Sequence, residues 1–339
     1  IFYCMRNISH QWNVCRLEEA AEVEIIGEPR LWAGVGLIDI VHQLKAWRTE
    51  VVQTALPTSD MIGRTLAHAA GVPAIFSSIR GRNVDKPAWQ CWLDRRTAHW
   101  AHAIVFNDRD AIPFAIAHEG VRAHQVAYIP NGVALAPCRR PVQEVRAELH
   151  TASDAVIIGT VARLHPSKGQ IDLLRAFASV RERNASAVLW LIGEGECRTA
   201  LEQEALRLGI SEHVRMPGAR DDIRDVLEAI DLFVLPSHWE GMPNALMEAL
   251  AAARPAVASD IDAIRELVIH GETGYLVPPA DDQALARTMI DVLSDRERAA
   301  QVGRRAATHM REHFSIERMA DAYETLYRGT LESVRHQRL

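Results

Sequence analysis

Glu240 and Glu248 bracket the start of a helical stretch in Pro236-Ser-His-Trp-Glu-Gly-Met-Pro-Asn-Ala-Leu-Met-Glu248. Carboxylates at this spacing suit a ligand that is anionic at one end and rich in hydroxyls at the other. Each carboxylate can accept hydrogen bonds from paired sugar hydroxyls, while the free N–H groups and positive dipole end of the helix can hold phosphate. A second group lies upstream, in Arg163-Leu-His-Pro-Ser-Lys-Gly169. Its two cations, Arg163 and Lys168, can grip a diphosphate and stabilise the charge that grows on it when the bond to its terminal oxygen breaks. Taken alone, Lys168 reads as a solvated surface charge. Beside the Glu240 segment it reads as half of a nucleotide-sugar site.

Those residues need elements to position them. Asp231-Leu-Phe-Val-Leu235 is a short apolar run of the buried-strand type, and Ala245 to Ala252 is strongly helix-forming, so the acidic segment reads strand, loop, helix, with Pro243 favoured in the first turn. Arg163 falls at the carboxyl end of a strand closing near Val161. Ser167 is the expected N-cap of an amphipathic helix beginning Ile171-Asp-Leu-Leu-Arg-Ala-Phe177.

The same alternation runs through the chain. Strands are expected at 23–26, 50–54, 74–77, 103–106 and 126–129, with helices near 58–70, 87–102 and 109–119. Further strands follow at 156–161, 188–192, 214–216, 232–235, 256–258 and 275–277. Pro130-Asn-Gly132 signals a turn and 133–141 a linker, dividing the chain into domains 1–135 and 136–339. The expected fold is α/β: two doubly wound, Rossmann-like parallel-sheet domains facing a cleft, with ligands at the strand carboxyl ends. From Asp281 a helical tail with Met319, Tyr323 and Leu326 at helical spacing is expected to pack across the domains.

Composition narrows the function. The 339 residues are 48% hydrophobic and 24% charged, enough for two domains. Residues 1–135 carry 13 Lys plus Arg against 13 Asp plus Glu, so the net charge of −6 falls on the remainder, and neither part has the basic surplus of a nucleic-acid binder. Cys4, Cys15, Cys91, Cys138 and Cys197 are scattered and form no Cys-x-x-Cys pair, which points to a reducing cytoplasm. The chain opens on Ile1 without a signal-peptide pattern, and a truncated start is expected. Lys45, Lys86 and Lys168 are its only lysines.

Other groupings read as structural. Gly193-Glu-Gly195 follows a strand, but Arg198 stands where a dinucleotide fingerprint needs its third glycine. Asp108-Arg-Asp110 and Asp260-Ile-Asp262 resemble metal-binding pairs yet read as helix-start or loop carboxylates, so no metal and no cofactor is expected. His99 and His102 read as packing or surface histidines rather than zinc ligands. Trp89, Trp92 and Trp100, interleaved with Arg95 and Arg96, are expected to pack the core face of their helix, the alternative being contact with a lipid-linked or membrane acceptor.

Val161-Ala-Arg-Leu-His-Pro-Ser-Lys-Gly169, Leu191-Ile-Gly-Glu-Gly195, Asp231-Leu-Phe-Val-Leu-Pro-Ser237, Glu240 to Glu248 and Gly271-Glu-Thr-Gly-Tyr-Leu-Val277 together resemble the successive motifs of the retaining GT-B glycosyltransferases of family 4. The resemblance covers nearly all of 155–330. It implies that Arg163 and Lys168 contact the donor diphosphate, that Glu240 meets the donor sugar and that Glu248 takes the ribose hydroxyls. Gly241, Met242, Pro243, Asn244, Ala245 and Leu246 would cradle sugar and phosphate, with Gly218 and Arg220 near the base. In the first half, Leu56-Pro-Thr-Ser-Asp60, Gly71-Val-Pro73 and Ile129-Pro-Asn-Gly-Val133 resemble the acceptor domain of the same enzymes. The family's opening strand and glycine-rich loop are missing, and Ser77-Ser-Ile-Arg-Gly81 lacks the usual histidine, leaving Arg80 as the candidate substitute.

The activity implied is metal-independent transfer of a hexose-type sugar, with retention, from a nucleoside-diphosphate sugar to an acceptor hydroxyl. The acceptor would be a glycan, a lipid-linked sugar or a small molecule. The setting would be surface polysaccharide or glycoconjugate synthesis in the cytoplasm or at the inner face of the membrane, with at most peripheral membrane association. The alternatives are a nucleotide-sugar epimerase or hydrolase of the same fold, and a non-catalytic nucleotide-sugar binding protein.

Overall fold

The computed structural model describes residues 2–4, 23–25, 36–81 and 86–337. The chain divides into two compact units, one of Ile1–Ile129 with Ala322–Leu339 and the other of Pro130–Asp321. The last helix, Ile316–Gln337, therefore begins in the second unit and ends in the first.

In the first unit, β1 (Phe2–Cys4) pairs parallel with β2 (Val23–Ile25), so an opening strand is present where none was expected; the loop between them lies outside the described residues. A four-stranded parallel sheet follows in the order β3 (Val51–Ala55), β4 (Ala74–Ile79), β5 (Ala103–Phe106), β6 (Val126–Tyr128). Helices Pro57–Ala70, Ala88–Thr97 and Ala111–His118 connect the strands. The second of these stops at Thr97 and gives way to a tighter turn, Ala98–Trp100. Leu326, Tyr327 and Leu331 of the last helix pack on Ala74, Phe76 and Ala103 of the sheet.

A buried polar network fills the interior of this unit. Thr54 Oγ1 donates to Asp60 Oδ1 at 2.5 Å and lies 2.9 Å from Ser77 Oγ. Arg64 bonds Thr97 and Asp94, and Lys86 bonds Asp94 and Glu119. Burial disfavours the Lys86 ammonium, but the Asp94 and Glu119 carboxylates outweigh it and hold its pKa above the ordinary lysine value. One of the three lysines kept in an arginine-rich chain is thus a buried structural cation.

Asp94 also explains a correction. Because Asp94 and Thr97 face inward to Arg64, Trp92 and Arg96 fall on the opposite side of their helix, and Trp89 and Trp92 are 48% and 56% exposed rather than core. The Arg96 guanidinium lies over the Trp92 ring at 5.1 Å.

In the second unit, six parallel strands run in the order β12-β11-β10-β7-β8-β9, where β7 is Val156–Val161, β8 Ala187–Ile192, β9 Val214–Gly218, β10 Leu232–Leu235, β11 Ala256–Ser259 and β12 Tyr275–Val277. Successive side chains serve two cores. Leu232 and Val234 join one with Leu173 and Phe177, while Phe233 and Leu235 join the other with Leu246 and Leu250. A sheet covered on both faces explains why its inner strands β8 and β10 read as unbroken apolar runs. The tail resolves into three helices, Asp282–Ser294, Arg296–His313 and Ile316–Gln337. Asp281 and Asp295 cap the first two by accepting from Ala284 N and Arg298 N.

Candidate active site

The carboxyl ends of β7, β8, β9 and β10 each feed a loop that carries one of the marked residues. From β7 the chain enters a tight turn, Pro166–Lys168, rather than a helix capped by Ser167. The turn is closed by His165 Nδ1 accepting from Ser167 N. Gly169 follows in the left-handed region at φ 63, and helix Gln170–Arg183 starts after it. A Cβ on Gly169 would stand 2.1 Å from the carbonyl oxygen of Pro236, so only glycine lets the β7 loop press against the β10 loop.

That approach joins the two loops. His238 N donates to Ser167 O at 2.8 Å, and His238 Nε2 donates to Asp172 Oδ2 at 2.6 Å. Lys168 Nζ donates to both carboxylate oxygens of Glu240 at 2.7 Å, and Ser237 Oγ donates to Oε1 at 2.7 Å. A carboxylate offers about four acceptor positions, so these three bonds leave Glu240 roughly one for a ligand hydroxyl. Ser237, His238 and Asp172 belong to this assembly although the sequence assigned none of them a role; their contacts follow from the seating of Gly169 under Pro236.

Arg163 extends from the end of β7 with its side chain exposed, and its guanidinium makes no hydrogen bond or ion pair with the described residues. Its backbone is fixed instead. Buried Gln170 donates to Arg163 O at 2.9 Å, and Leu164 N donates to Glu194 O at 2.9 Å. Gly193 and Gly195 serve that contact: a Cβ on either would lie 2.0 or 2.2 Å from the carbonyl oxygen of Ala162 or Leu164. The Gly-Glu-Gly run is therefore a packing device for the Arg163 segment rather than a dinucleotide cradle.

Pro243 takes the N-cap position with ψ 100, one residue before helix Asn244–Ala251, instead of lying within its first turn. Met242 and Leu246 are buried, Asn244 is exposed, and Gly241 and Ala245 are half-buried. Asn131, from the turn between the units' sequences, donates to Asn244 Oδ1 at 2.8 Å and steadies the helix start. Glu248, in the second turn, is half-buried without a charged partner among the described residues, and burial raises its carboxyl above the ordinary glutamate pKa.

Gly218 closes β9 at φ 92. Arg220 is committed elsewhere: it donates to Asp222 at 2.7 and 2.6 Å and to Glu148 at 2.7 Å, and those bonds push its pKa up. Arg80 stands exposed at the carboxyl end of β4. The two Asp-x-Asp pairs have local uses, Asp108 accepting from Asp110 N and both Asp260 and Asp262 pairing with Arg265.

Fold and site define a class. Two parallel-sheet units of the GT-B type carry cations and carboxylates at the strand carboxyl ends of the second. The crystal structure of HepE from Anabaena in complex with UDP and glucose superposes with a TM-score of 0.81 at 21% identity, covering 93% of this chain and 88% of that one. Residues 141–309 match the family model described as "Glycosyl transferases group 1", and the chain belongs to that family. The UDP-Gal:alpha-D-GlcNAc-diphosphoundecaprenol alpha-1,3-galactosyltransferase of Escherichia coli is 27% identical over 273 residues, 77% of this chain and 70% of that protein. The lipopolysaccharide core biosynthesis glycosyltransferase LpsE of Rhizobium meliloti is 33% identical over 184 residues, which is 54% of this chain and 53% of that protein. This chain thus spans only about half the length of the second relative. Among the described residues no helix is long and apolar enough to cross a membrane.

Proposed function

We propose that this chain is a retaining glycosyltransferase that moves a hexose from a nucleoside-diphosphate sugar to a hydroxyl of a lipid-linked or polysaccharide acceptor, in the cytoplasm at the inner face of the membrane. The observation that carries the reading is the junction of Lys168 with Glu240 at the strand carboxyl ends, beside an exposed and unengaged Arg163. The names of the relatives support the acceptor class, since one acts on a diphosphoundecaprenol-linked sugar and the other in lipopolysaccharide core synthesis.

In this reading the donor diphosphate rests on Arg163, Lys168 and the first-turn N–H groups of helix Asn244–Ala251. The ribose hydroxyls bond Glu248, the hexose lies against Glu240 and the backbone from Gly241 to Leu246, and Gly218 and Arg220 border the base. The acceptor oxygen bonds the anomeric carbon on the face from which the diphosphate departs, and its proton passes to the departing phosphate oxygen. Charge collects on that diphosphate, where Lys168 and Arg163 offset it, a role that calls for no metal or cofactor.

The test is to incubate the protein with UDP-glucose, UDP-galactose or GDP-mannose, with and without lipid-linked acceptors. Nucleoside diphosphate release that depends on acceptor, and an α-linked product by NMR, support the reading. Equal donor consumption without acceptor identifies a hydrolase or epimerase. Donor binding without turnover identifies a binding protein.

A further inference from the structure

A surface cavity of about 620 Å³ lies wholly within the first unit. His102 stands directly before β5 and Gln125 directly before β6, so the cavity opens at the amino-terminal edge of the sheet, opposite the edge where parallel α/β sheets take their substrates. Arg122, His99, His102 and His124 line it, together with Thr325 and Ser333 from the last helix. No carboxylate is among the lining residues within the described part of the chain, although the chain holds 44 Asp plus Glu.

We propose that this cavity binds an oxyanion of the phosphate class. Its walls are fixed in advance. Buried Gln125 donates to the carbonyls of Ala98 and Ala101 and accepts from Arg122 N at 3.2 Å, which pins the 98–101 turn to the Arg122 segment. His102 Nδ1 accepts from Ile75 N at 3.1 Å, which fixes the ring at the cavity wall. His99 rests on Trp100 at 5.1 Å, and Trp100 is stacked on His68 at 4.5 Å. Arg122 is exposed, and its guanidinium has no hydrogen bond or ion pair among the described residues. A guanidinium fork beside imidazole and hydroxyl donors matches the several acceptor oxygens of phosphate. A metal ion does not fit, because among the described residues no three His, Cys, Asp or Glu side chains are placed to hold one. Free phosphate and the phosphodiester of a lipid headgroup share this chemistry.

The test is histidine footprinting of the full chain with diethyl pyrocarbonate, read residue by residue by mass spectrometry. A site with a dissociation constant on the order of 1 mM is about nine-tenths filled at about 10 mM phosphate, so labelling of His99 and His124 should fall about tenfold relative to chloride at equal ionic strength. Exposed His150, in the other unit, should label as before. Arg122→Ala, which removes no bond among the described residues, should abolish the protection. In parallel arms, phosphatidylglycerol vesicles are compared with phosphatidylcholine vesicles. Protection by phosphate alone assigns a soluble ligand, and protection by phosphatidylglycerol, with or without phosphate, assigns a lipid headgroup. Unchanged labelling in every arm, equal protection of His150, or protection that survives in Arg122→Ala overturns the site.

Discussion

Lys168 Nζ reaches both carboxylate oxygens of Glu240 at 2.7 Å, tying the loop after β7 to the loop after β10. The side chains are 20% and 8% exposed, so each leaves the other's charge partly desolvated and unpaired if removed. The pair fixes the position of both side chains at the strand carboxyl ends, and the first prediction follows from it.

Lys168→Ala should lower turnover about 10²- to 10³-fold if the ammonium stabilises the departing diphosphate, and should also lower the melting temperature because Glu240 loses two bonds. Combining it with Glu240→Ala should restore part of that stability, with a coupling of at least about 1 kcal/mol between the two sites. Normal turnover in a folded Lys168→Ala protein would remove Lys168 from the chemistry.

Glu248→Ala should weaken donor binding about 10- to 100-fold and leave turnover at saturation nearly unchanged, since ribose contacts persist from ground state to transition state. Burial raises the Glu248 pKa, and the ionised form is the one that accepts two hydroxyls. Donor affinity should therefore fall, as pH drops, earlier than an ordinary glutamate would cause. Calorimetric titration of UDP between pH 7 and pH 5, in wild type and variant, checks both statements.

Gly169→Ala tests the seam between the loops. Its φ is 63 and its added Cβ would meet the Pro236 carbonyl oxygen at 2.1 Å, whereas Gly209, at φ 69, has open space around the same atom. Gly169→Ala should cost about 2–4 kcal/mol and Gly209→Ala only about 1 kcal/mol, measured by chemical denaturation. Equal losses would mean that the close approach contributes nothing.

Asp172 and His238 clip the same seam from outside the ligand contacts. Asp172→Ala should reduce kcat about tenfold through lost alignment while donor KM holds, and Asp172→Asn, which can still accept a bond, should recover most of it. A loss expressed in donor KM alone would contradict this positioning role.

In the first unit, burial raises the Asp60 carboxyl from 3.8 to about 6, against the pull of Arg64 and the Thr54 hydrogen bond. The folded state then holds this proton more tightly than the unfolded state. Stability should fall as pH rises from 3.8 towards 6, leaving a penalty of about 3 kcal/mol above that range. Asp60→Asn should match wild type near pH 4 and exceed it at pH 7. Parallel stability curves for the two proteins would sink the idea.

Much of the site could be read in the chain because its parts are local. A strand of apolar residues, a turn and a helix start place Glu240 and Glu248 within one stretch, and the same logic places Arg163 and Lys168 in another. The bounds of β5, β7, β10 and β12 coincide with the expected strands, and in β5 and β10 every residue is apolar and buried, as a strand covered on both faces requires. Where a side chain had more than one use, the pattern failed. The tryptophans of Ala88–Thr97 suited a core face until the buried partners of Asp94 fixed which side turned inward. Ser167 looked like a cap until a left-handed Gly169 took its place.

The sequence by itself therefore determined the alternation of strand and helix and the placing of the candidate residues after strand carboxyl ends, because each depends on neighbours within a few turns of chain. Tertiary structure alone decided that Lys168 closes on Glu240, that Asp172 and His238 hold them there, that Arg220 reaches Glu148, and that Lys86 is buried. Each of those depends on which strands become neighbours and on how closely two backbones can approach. Contacts of that kind span many residues of chain and leave no periodicity along it.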